Sequence, residues 1–316
     1  MNLYLEKIKR KIFFKKNKKD VLIFDCFLFF NENDILEVRI NELKNVVNYF
    51  VIFESAFTFS KKSKGFFFDS ERFKDFKTKI IYIQNQDWIK SPDAWQFESF
   101  QRNKIIDGLS MAGDKDMIIL SDLDEIPKAD AIIDSFYEIY KNNNKYIKLE
   151  HRNFSYWINN TSQTCPYGLS SIITKKENIK TLQELRTKQI PDVILKNAGW
   201  HYSFMSDPKD MIYKIQSYSH KEYDKWPNND LEFIKKRISA GQSNFAHDEN
   251  VFKIIKLNKK NCPKHILKNK QKYDKLIFKH EKTPIWTQIM LFYNKKICKI
   301  KEYTLGTRNK SSEKAN

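Results

Sequence analysis

The sequence predicts an α/β protein built on a mixed, mostly parallel sheet flanked by helices. Three observations carry that expectation. Over the first 140 residues, strand-length apolar runs alternate four times with stretches at helical spacing, the pattern of parallel strands joined by crossover helices. The first runs are continuously apolar rather than alternating, as in strands covered on both faces. With 316 residues, 41% hydrophobic and 15% aromatic, the chain has the apolar mass for a sizeable core despite 30% charged residues.

Residues 21–30 form the first strand, an apolar run that carries Asp25. Residues 31–33 break it. Asp34 and Glu37 then read as a capping box opening a helix with Leu36, Ile40, Leu43 and Val47 inward. Residues 49–53 are a second strand, followed by a polar, Lys-rich loop at 60–65; residues 79–83 are a third. Residues 95–111 read as a helix with Trp95, Phe100, Ile105 and Leu109 inward. Residues 117–120 are a fourth buried strand ending in Ser121-Asp122-Leu123-Asp124-Glu125, and Pro127 opens the next helix in its first turn. Further on, residues 146–157, 169–174 and 198–204 read as strands. Asp207-Pro208 gives an N-cap and first turn for a helix reaching His220, and a last helix runs from about Asp230 to Gly241. The main domain is therefore expected at 21–250, between a basic N-terminal segment (1–20) and a Lys-rich C-terminal extension (251–316).

The net charge of +18 is uneven: residues 1–20 carry +6, residues 251–316 carry +14, and the domain between them −2. A nucleic-acid groove would need basic density in the main domain, so nucleic acid is not expected as its partner. The basic ends suit peripheral contact with an anionic membrane or simple solvation. The tract 283–300, with Lys295, Lys296 and Lys299 among Ile, Trp, Met, Leu and Phe, would lie on a membrane surface or pack on the domain. No segment reaches the roughly 18–20 apolar residues of a membrane span, and the first run lacks a signal-peptide cleavage site. The four cysteines (Cys26, Cys165, Cys262, Cys298) form no C-x-x-C pair, which fits a reducing, cytoplasmic compartment. The seven glycines allow no G-x-G-x-x-G, and Gly113 is followed by Asp114 where a P-loop needs Lys.

Asp122-Leu123-Asp124 carries the most chemistry. Residues two apart on a strand share a face, so at a strand end the two carboxylates converge on one hard cation, Mn²⁺ or Mg²⁺, that keeps positions open for substrate phosphates. The competing reading is helix capping by Asp124 or Glu125 ahead of Pro127. Of six histidines, His201, in Asn197-Ala198-Gly199-Trp200-His201-Tyr202, is the one placed to complete a carboxylate metal site, with His220 as its rival. Phe24-Asp25-Cys26-Phe27 lacks the second Asp of haloacid-dehalogenase-type phosphatases.

Five ordered blocks resemble glycosyltransferase family 17: Asp25-Cys26-Phe27; Asn31-Glu32-x-Asp34-Ile35-Leu36-Glu37-x-Arg39-x-Asn41-Glu42-Leu43; Tyr49-Phe50-Val51-Ile52-x-Glu54-Ser55; Ser121-Asp122-x-Asp124-Glu125-Ile126-Pro127; and Ala198-Gly199-Trp200-His201. The resemblance covers about residues 21–245. It implies a GT-A-like (Rossmann-like) fold, a UDP-sugar donor with UDP-GlcNAc foremost, a divalent cation and inversion at the sugar. Animal members are type II Golgi membrane proteins. This chain resembles a bacterial-type member without an anchor, located in the cytoplasm or at the inner face of the membrane.

On that resemblance Asp124 ligates the cation, Asp122 reaches it through water or holds the ribose, and His201 is a further ligand or a diphosphate contact. Glu54 and Ser55 face the uracil or ribose, and Arg39, Lys64 and Arg102 pair with phosphate. Glu125, Asp192 and Asp207 are the candidates for general base. The acceptor is expected to be a saccharide or glycolipid in surface-glycan or lipooligosaccharide synthesis. The alternatives are a sugar nucleotidyltransferase and a basic membrane- or nucleic-acid-binding protein.

Overall fold

The structure is a computed structural model that describes residues 3–90 and 93–279. The tract 283–300, for which surface or domain packing was expected, lies outside them. The chain runs α1 (Leu3–Asn17), β1 (Ile23–Leu28), α2 (Asn33–Leu43), β2 (Tyr49–Ser55), β3 (Ile80–Asn85), α3 (Ala94–Lys104), β4 (Met117–Leu120), β5 (Glu125–Pro127), α4 (Ala129–Tyr140), β6 (Ile147–Ser155), β7 (Asn160–Ser162), β8 (Tyr167–Lys175), α5 (Leu182–Thr187), β9 (Val193–Ser203), α6 (Pro208–Ser217), α7 (Leu231–Ser239), β10 (Phe252–Ile254) and α8 (Lys264–Lys268).

The predicted class holds: one mixed sheet, its two longest ladders parallel, with helices on its faces. Its order is β10-β7-β6-β8-β4-β1-β2-β3, and β9 joins β6 in parallel and β5 antiparallel. β3, β2, β1 and β4 run parallel, so the carboxyl ends of β1, β2 and β4 share one rim. Antiparallel β8 follows β4.

Period two sorts the side chains of β1. Ile23, Asp25 and Phe27 face one side, where Leu36 of α2 and Phe136 of α4 belong to the same core. Phe24 and Cys26 face the other and pack with Ile105, Leu109 and Leu182. Asp25 is thereby delivered into the interior under α2, fully buried.

Both basic ends contribute to the core within the described residues. Phe14 of α1 stacks edge-on against Phe136 at 5.1 Å, and Arg10 pairs with Glu138 at 3.0 Å. Cys262, Ile266, Tyr273 and Leu276 are buried in the core that includes α2. Among the described residues no helix is long and apolar enough to cross a membrane.

Four local expectations are corrected. Asp34 and Glu37 form no capping box; both carboxylates bind Arg72, at 2.7 and 2.5 Å, and the helix starts after Glu32 without a side-chain cap. Pro127 ends β5 rather than opening a helix, because Ile126 pairs with Trp200 and Pro127 with Gly199. Trp95 is 44% exposed, and Phe97 takes the inward position. His220 lies beyond α6 and pairs with Glu222 at 2.6 Å.

Gly199 permits the closest approach in the sheet. A Cβ there would lie 2.5 Å from Nε2 of buried His151 and 2.5 Å from the carbonyl oxygen of Ile126. Both neighbours are fixed in a packed interior, so a methyl group would push β9 away from β5 and β6. Gly199→Ala is expected to lower stability by about 1–3 kcal/mol, read as a lower urea midpoint; an unchanged midpoint would show that the strands tolerate the methyl group.

Candidate functional site

The site begins where β4 ends. Met117 to Leu120 are wholly buried, and the chain then turns through Ser121–Asp124 before β5, closed by Glu125 N donating to Asp122 O at 3.1 Å. This turn runs past the sheet ladder, so its carbonyls need other donors. Arg39 of α2 supplies them: Nη1 donates to the carbonyls of Asp122 (2.8 Å), Leu123 (3.0 Å) and Glu125 (3.0 Å), and Nη2 to Ser121 Oγ (2.6 Å). Its other edge grips Asp25 bidentately, at 2.8 and 2.6 Å. Arg39 is fully buried with its whole donor set engaged, so it holds the turn and does not meet phosphate.

The turn projects Asp122 and Asp124 into a cleft of about 550 Å³ at the shared strand rim. β9 supplies His201 on the far wall: Glu125 is its register partner, and Tyr202 N donates to Asp124 O at 2.9 Å. His201 Nε2 lies 3.7 Å from Asp124 Oδ1 and 3.0 Å from Ser203 Oγ. Three cations from distant helices face the same cleft: Arg102 of α3, Arg186 of α5 and Lys214 of α6. Arg186 donates to Asp122 Oδ2 at 2.8 Å and reaches both oxygens of Glu125, at 2.9 and 2.8 Å. Arg102 is 3.4 Å from Asp122 Oδ1 and donates to Glu98 at 2.6 Å. Lys214 Nζ lies 2.9 Å from Glu32 Oε1 and 3.6 Å from Asp124 Oδ2.

These contacts set the charge states. Burial favours neutral Asp122, but Arg186 first, then Arg102, override it and hold the acid far below the usual carboxylate range. For Asp124 burial wins over the pull of Lys214 and His201, and its pKa is raised. Burial opposes ionised Glu32 too, yet the Lys214 ammonium holds its pKa below the ordinary value. Lys214 itself is pushed up by Glu32 and Asp124 against desolvation.

Glu32 and Lys214 also form the wall of a second cavity of about 610 Å³, bounded by Trp157, Phe204, Asp207 and Asp210.

Several predicted site residues have other work. Glu54 is fully buried and accepts from Lys64 Nζ (2.8 Å), Phe67 N (2.7 Å), Phe68 N (3.1 Å) and Tyr82 OH (2.7 Å), so it secures the loop after β2 rather than a uracil. Lys64 lines the cleft but is pinned by that pair; burial lowers its pKa despite Glu54. Ser55 lines the cleft too, its Oγ accepting from Phe57 N at 3.1 Å. Glu125 is buried under Arg186 and outside the cleft lining, which removes it as a base. Asp192 accepts from Lys145 N (2.6 Å) and Tyr146 N (3.0 Å) just before β9, whose register with β6 sets it roughly 20 Å along the strand from His201, so it is no base either. Asp207 caps α6 through Lys209 N (2.9 Å) and Asp210 N (3.2 Å) and lines the second cavity. Glu32, Arg186 and Lys214 were missed as site residues. Glu32 stands in a quoted sequence block without a role; the other two carry no local signal, since they act on residues 64 and 182 positions away.

The donor chemistry fits a divalent cation as a two-ligand site. Asp124 and His201 converge, and would leave Mn²⁺ or Mg²⁺ with most of its positions open to phosphates and water. Among the described residues no group of three His, Cys, Asp or Glu forms a metal cluster. Asp122 accepts from Arg186 through one oxygen and lies 3.4 Å from Arg102 with the other.

The family model described as Glycosyltransferase family 17 matches residues 7–279. Two curated relatives are the beta-1,4-mannosyl-glycoprotein 4-beta-N-acetylglucosaminyltransferases of Rattus norvegicus, 24% identical over 67% of this chain and 46% of that protein, and of Homo sapiens, 23% identical over 78% and 53%. The chain thus spans about half the length of these relatives. Among solved structures, S. aureus TarS 1-349 matches with a TM-score of 0.34 and 11% identity over 62% of this chain and 63% of that one. M. tuberculosis glucosyl-3-phosphoglycerate synthase matches with 0.32 and 12% over 57% and 73%.

Removing the Arg39 guanidinium leaves Asp25 an uncompensated buried charge and takes one donor from each of three carbonyls. Arg39→Met should cost about 3–5 kcal/mol in denaturant unfolding, and adding Asp25→Leu should restore part of it. No recovery in the double variant would show that the carbonyl contacts, not the ion pair, carry the energy.

Proposed function

The chain belongs to glycosyltransferase family 17, and from that premise we propose that it transfers a sugar, N-acetylglucosamine foremost, from a UDP-sugar to a saccharide or glycolipid hydroxyl with inversion. Surface-glycan synthesis is the setting such an acceptor implies. Family membership displaces the nucleotidyltransferase and binding-protein alternatives. The observation that carries the reading is the cleft itself: paired carboxylates at the parallel-strand rim of a GT-A-like sheet, faced by Arg102, Arg186 and Lys214.

The diphosphate lies among those three cations, where arginine donates bidentately. The uridine end lies toward Ser55 and Trp95 at the cleft mouth. Asp124 and His201 would hold Mn²⁺ or Mg²⁺, which when bound neutralises charge on the departing diphosphate. Asp122 orients Arg186 and Arg102 toward the donor.

The acceptor occupies the second cavity, and Glu32, on the shared wall, is the general base in place of the three carboxylates first considered. It is ionised at neutral pH because Lys214 keeps its pKa low. The acceptor oxygen attacks the anomeric carbon and its proton passes to Glu32. The bond from that carbon to the β-phosphate oxygen breaks, and UDP leaves with the electron pair. The transition state resembles an oxocarbenium ion.

UDP release across a panel of UDP-sugars, with and without Mn²⁺, tests the donor; UDP-GlcNAc should give the largest signal, and no release from any UDP-sugar would sink the proposal. Asp124→Asn should abolish turnover with unfolding unchanged, and His201→Ala should weaken the Mn²⁺ titration. Glu32→Gln should lower kcat by about 10²–10⁴-fold with little change in donor KM. The lowered pKa of Glu32 keeps it ionised over the acid range in which Asp124, whose pKa is raised, takes up its proton, so wild-type kcat is expected to fall on the acid side with protonation of Asp124 first. Full activity in Glu32→Gln, with loss in Asp207→Asn, would move the base to Asp207.

A further inference from the structure

Helix α1 presents two contrasting faces. Toward the domain, Phe13 meets Tyr137 at 5.3 Å, Phe14 meets Phe136, and Arg10 pairs with Glu138. Away from it, Leu5, Ile8 and Ile12 are 57%, 38% and 62% exposed, and Tyr4 is exposed beside them. At 3.6 residues per turn Leu5, Ile8 and Ile12 fall in one stripe about 60° wide, with Tyr4 just outside it. Large aliphatic side chains aligned and exposed along one helix face mark a surface built for an apolar partner.

Lysines flank the stripe: Lys15 and Lys11 on one side, Lys9 and Lys16 on the other, all exposed. Lys9 lies 3.7 Å from Glu6, and Lys11 lies 3.0 Å from Asp130 of α4. Lys15 and Lys16 are in no ion pair among the described residues. The helix therefore shows the pattern of an interfacial segment, aliphatic side chains at the centre and ammonium groups on long apolar stems at both margins.

We propose that the outward face of α1 is a docking surface for an anionic lipid bilayer, with Leu5, Ile8 and Ile12 entering the headgroup–acyl boundary and Lys9, Lys11, Lys15 and Lys16 meeting lipid phosphates. Charge selects this occupant over two others. A second copy set stripe to stripe would bring lysines against lysines. A nucleic-acid strand gains from cations and stacking rings, not from a central row of Leu and Ile. Because Phe13, Phe14 and Arg10 fix the inner face on α4, the surface exists in the folded protein and needs no rearrangement to bind. The proposal is independent of the glycosyl-transfer reading, and it gives a protein of that class a way to work at a surface carrying lipid-linked acceptors.

The test is flotation of the full chain with vesicles of phosphatidylcholine alone and of phosphatidylcholine with phosphatidylglycerol. The protein should float with the anionic vesicles at low salt, be released at high salt, and stay behind with the neutral ones. Ile8→Glu with Ile12→Glu should abolish flotation while leaving circular dichroism, elution volume and UDP release unchanged, since neither side chain is buried or near the cleft. Lys15→Gln with Lys16→Gln should weaken binding on the order of tenfold and flatten the salt dependence. Wild-type protein that stays behind with anionic vesicles at low salt overturns the proposal. So does undiminished flotation of the double-Glu variant, which would put the lipid surface elsewhere on the chain, or a wild-type dimer that this variant dissolves without any lipid binding.

Discussion

The guanidinium of Arg39 ties the sheet interior to the turn that carries the chemistry, and the site takes its shape from that bond set. One edge of the fork holds Asp25 in the middle of β1; the other gathers the carbonyls of Asp122, Leu123 and Glu125. Of these, Leu123 O lies beyond the ladder, and Asp122 O has Glu125 N as its other donor. With the backbone polar groups turned inward, the side chains of Asp122 and Asp124 are left to face the cleft. A planar fork meets these acceptors at once, where a lysine ammonium would meet fewer.

The cleft is balanced in charge before any substrate arrives. Arg186 answers Asp122 and Glu125, and Lys214 stands between Glu32 and Asp124. A diphosphate bound there as proposed would exchange partners with carboxylates instead of meeting unpaired cations. Such fixed, mutually oriented charges are the preorganised kind that stabilises developing negative charge without reorganisation. Lys214 has the most consequential position, because it belongs to the walls of both cavities and sets the charge of the carboxylate between them.

Sequence and structure agree where the signal is local and apolar. The runs around Asp25, at 49–53 and at 117–120 became β1, β2 and β4, the Asp207 cap receives the expected backbone N–H groups, and the helix expected from about Asp230 begins there. Disagreement clusters where a polar residue has a stronger distant partner. Asp34 and Glu37 have the spacing of a capping box, but Arg72 binds both more tightly than helix N–H groups would. Arg39, Lys64 and Glu54 have the chemistry of ligand contacts, yet burial turns each into internal scaffolding.

By itself the sequence determined the strand–helix alternation, the placing of an Asp-x-Asp at the end of a buried strand, and the family blocks, because periodicity and spacing are written in neighbouring residues. Only the tertiary structure decided which ionisable groups meet. Arg186, Lys214 and Glu32 are brought to Asp122 and Asp124 by β9 pairing with β5 and by helices from opposite ends of the chain. Burial and proximity decide whether a charged side chain is scaffold or site, and both are properties of the folded packing rather than of any stretch of residues.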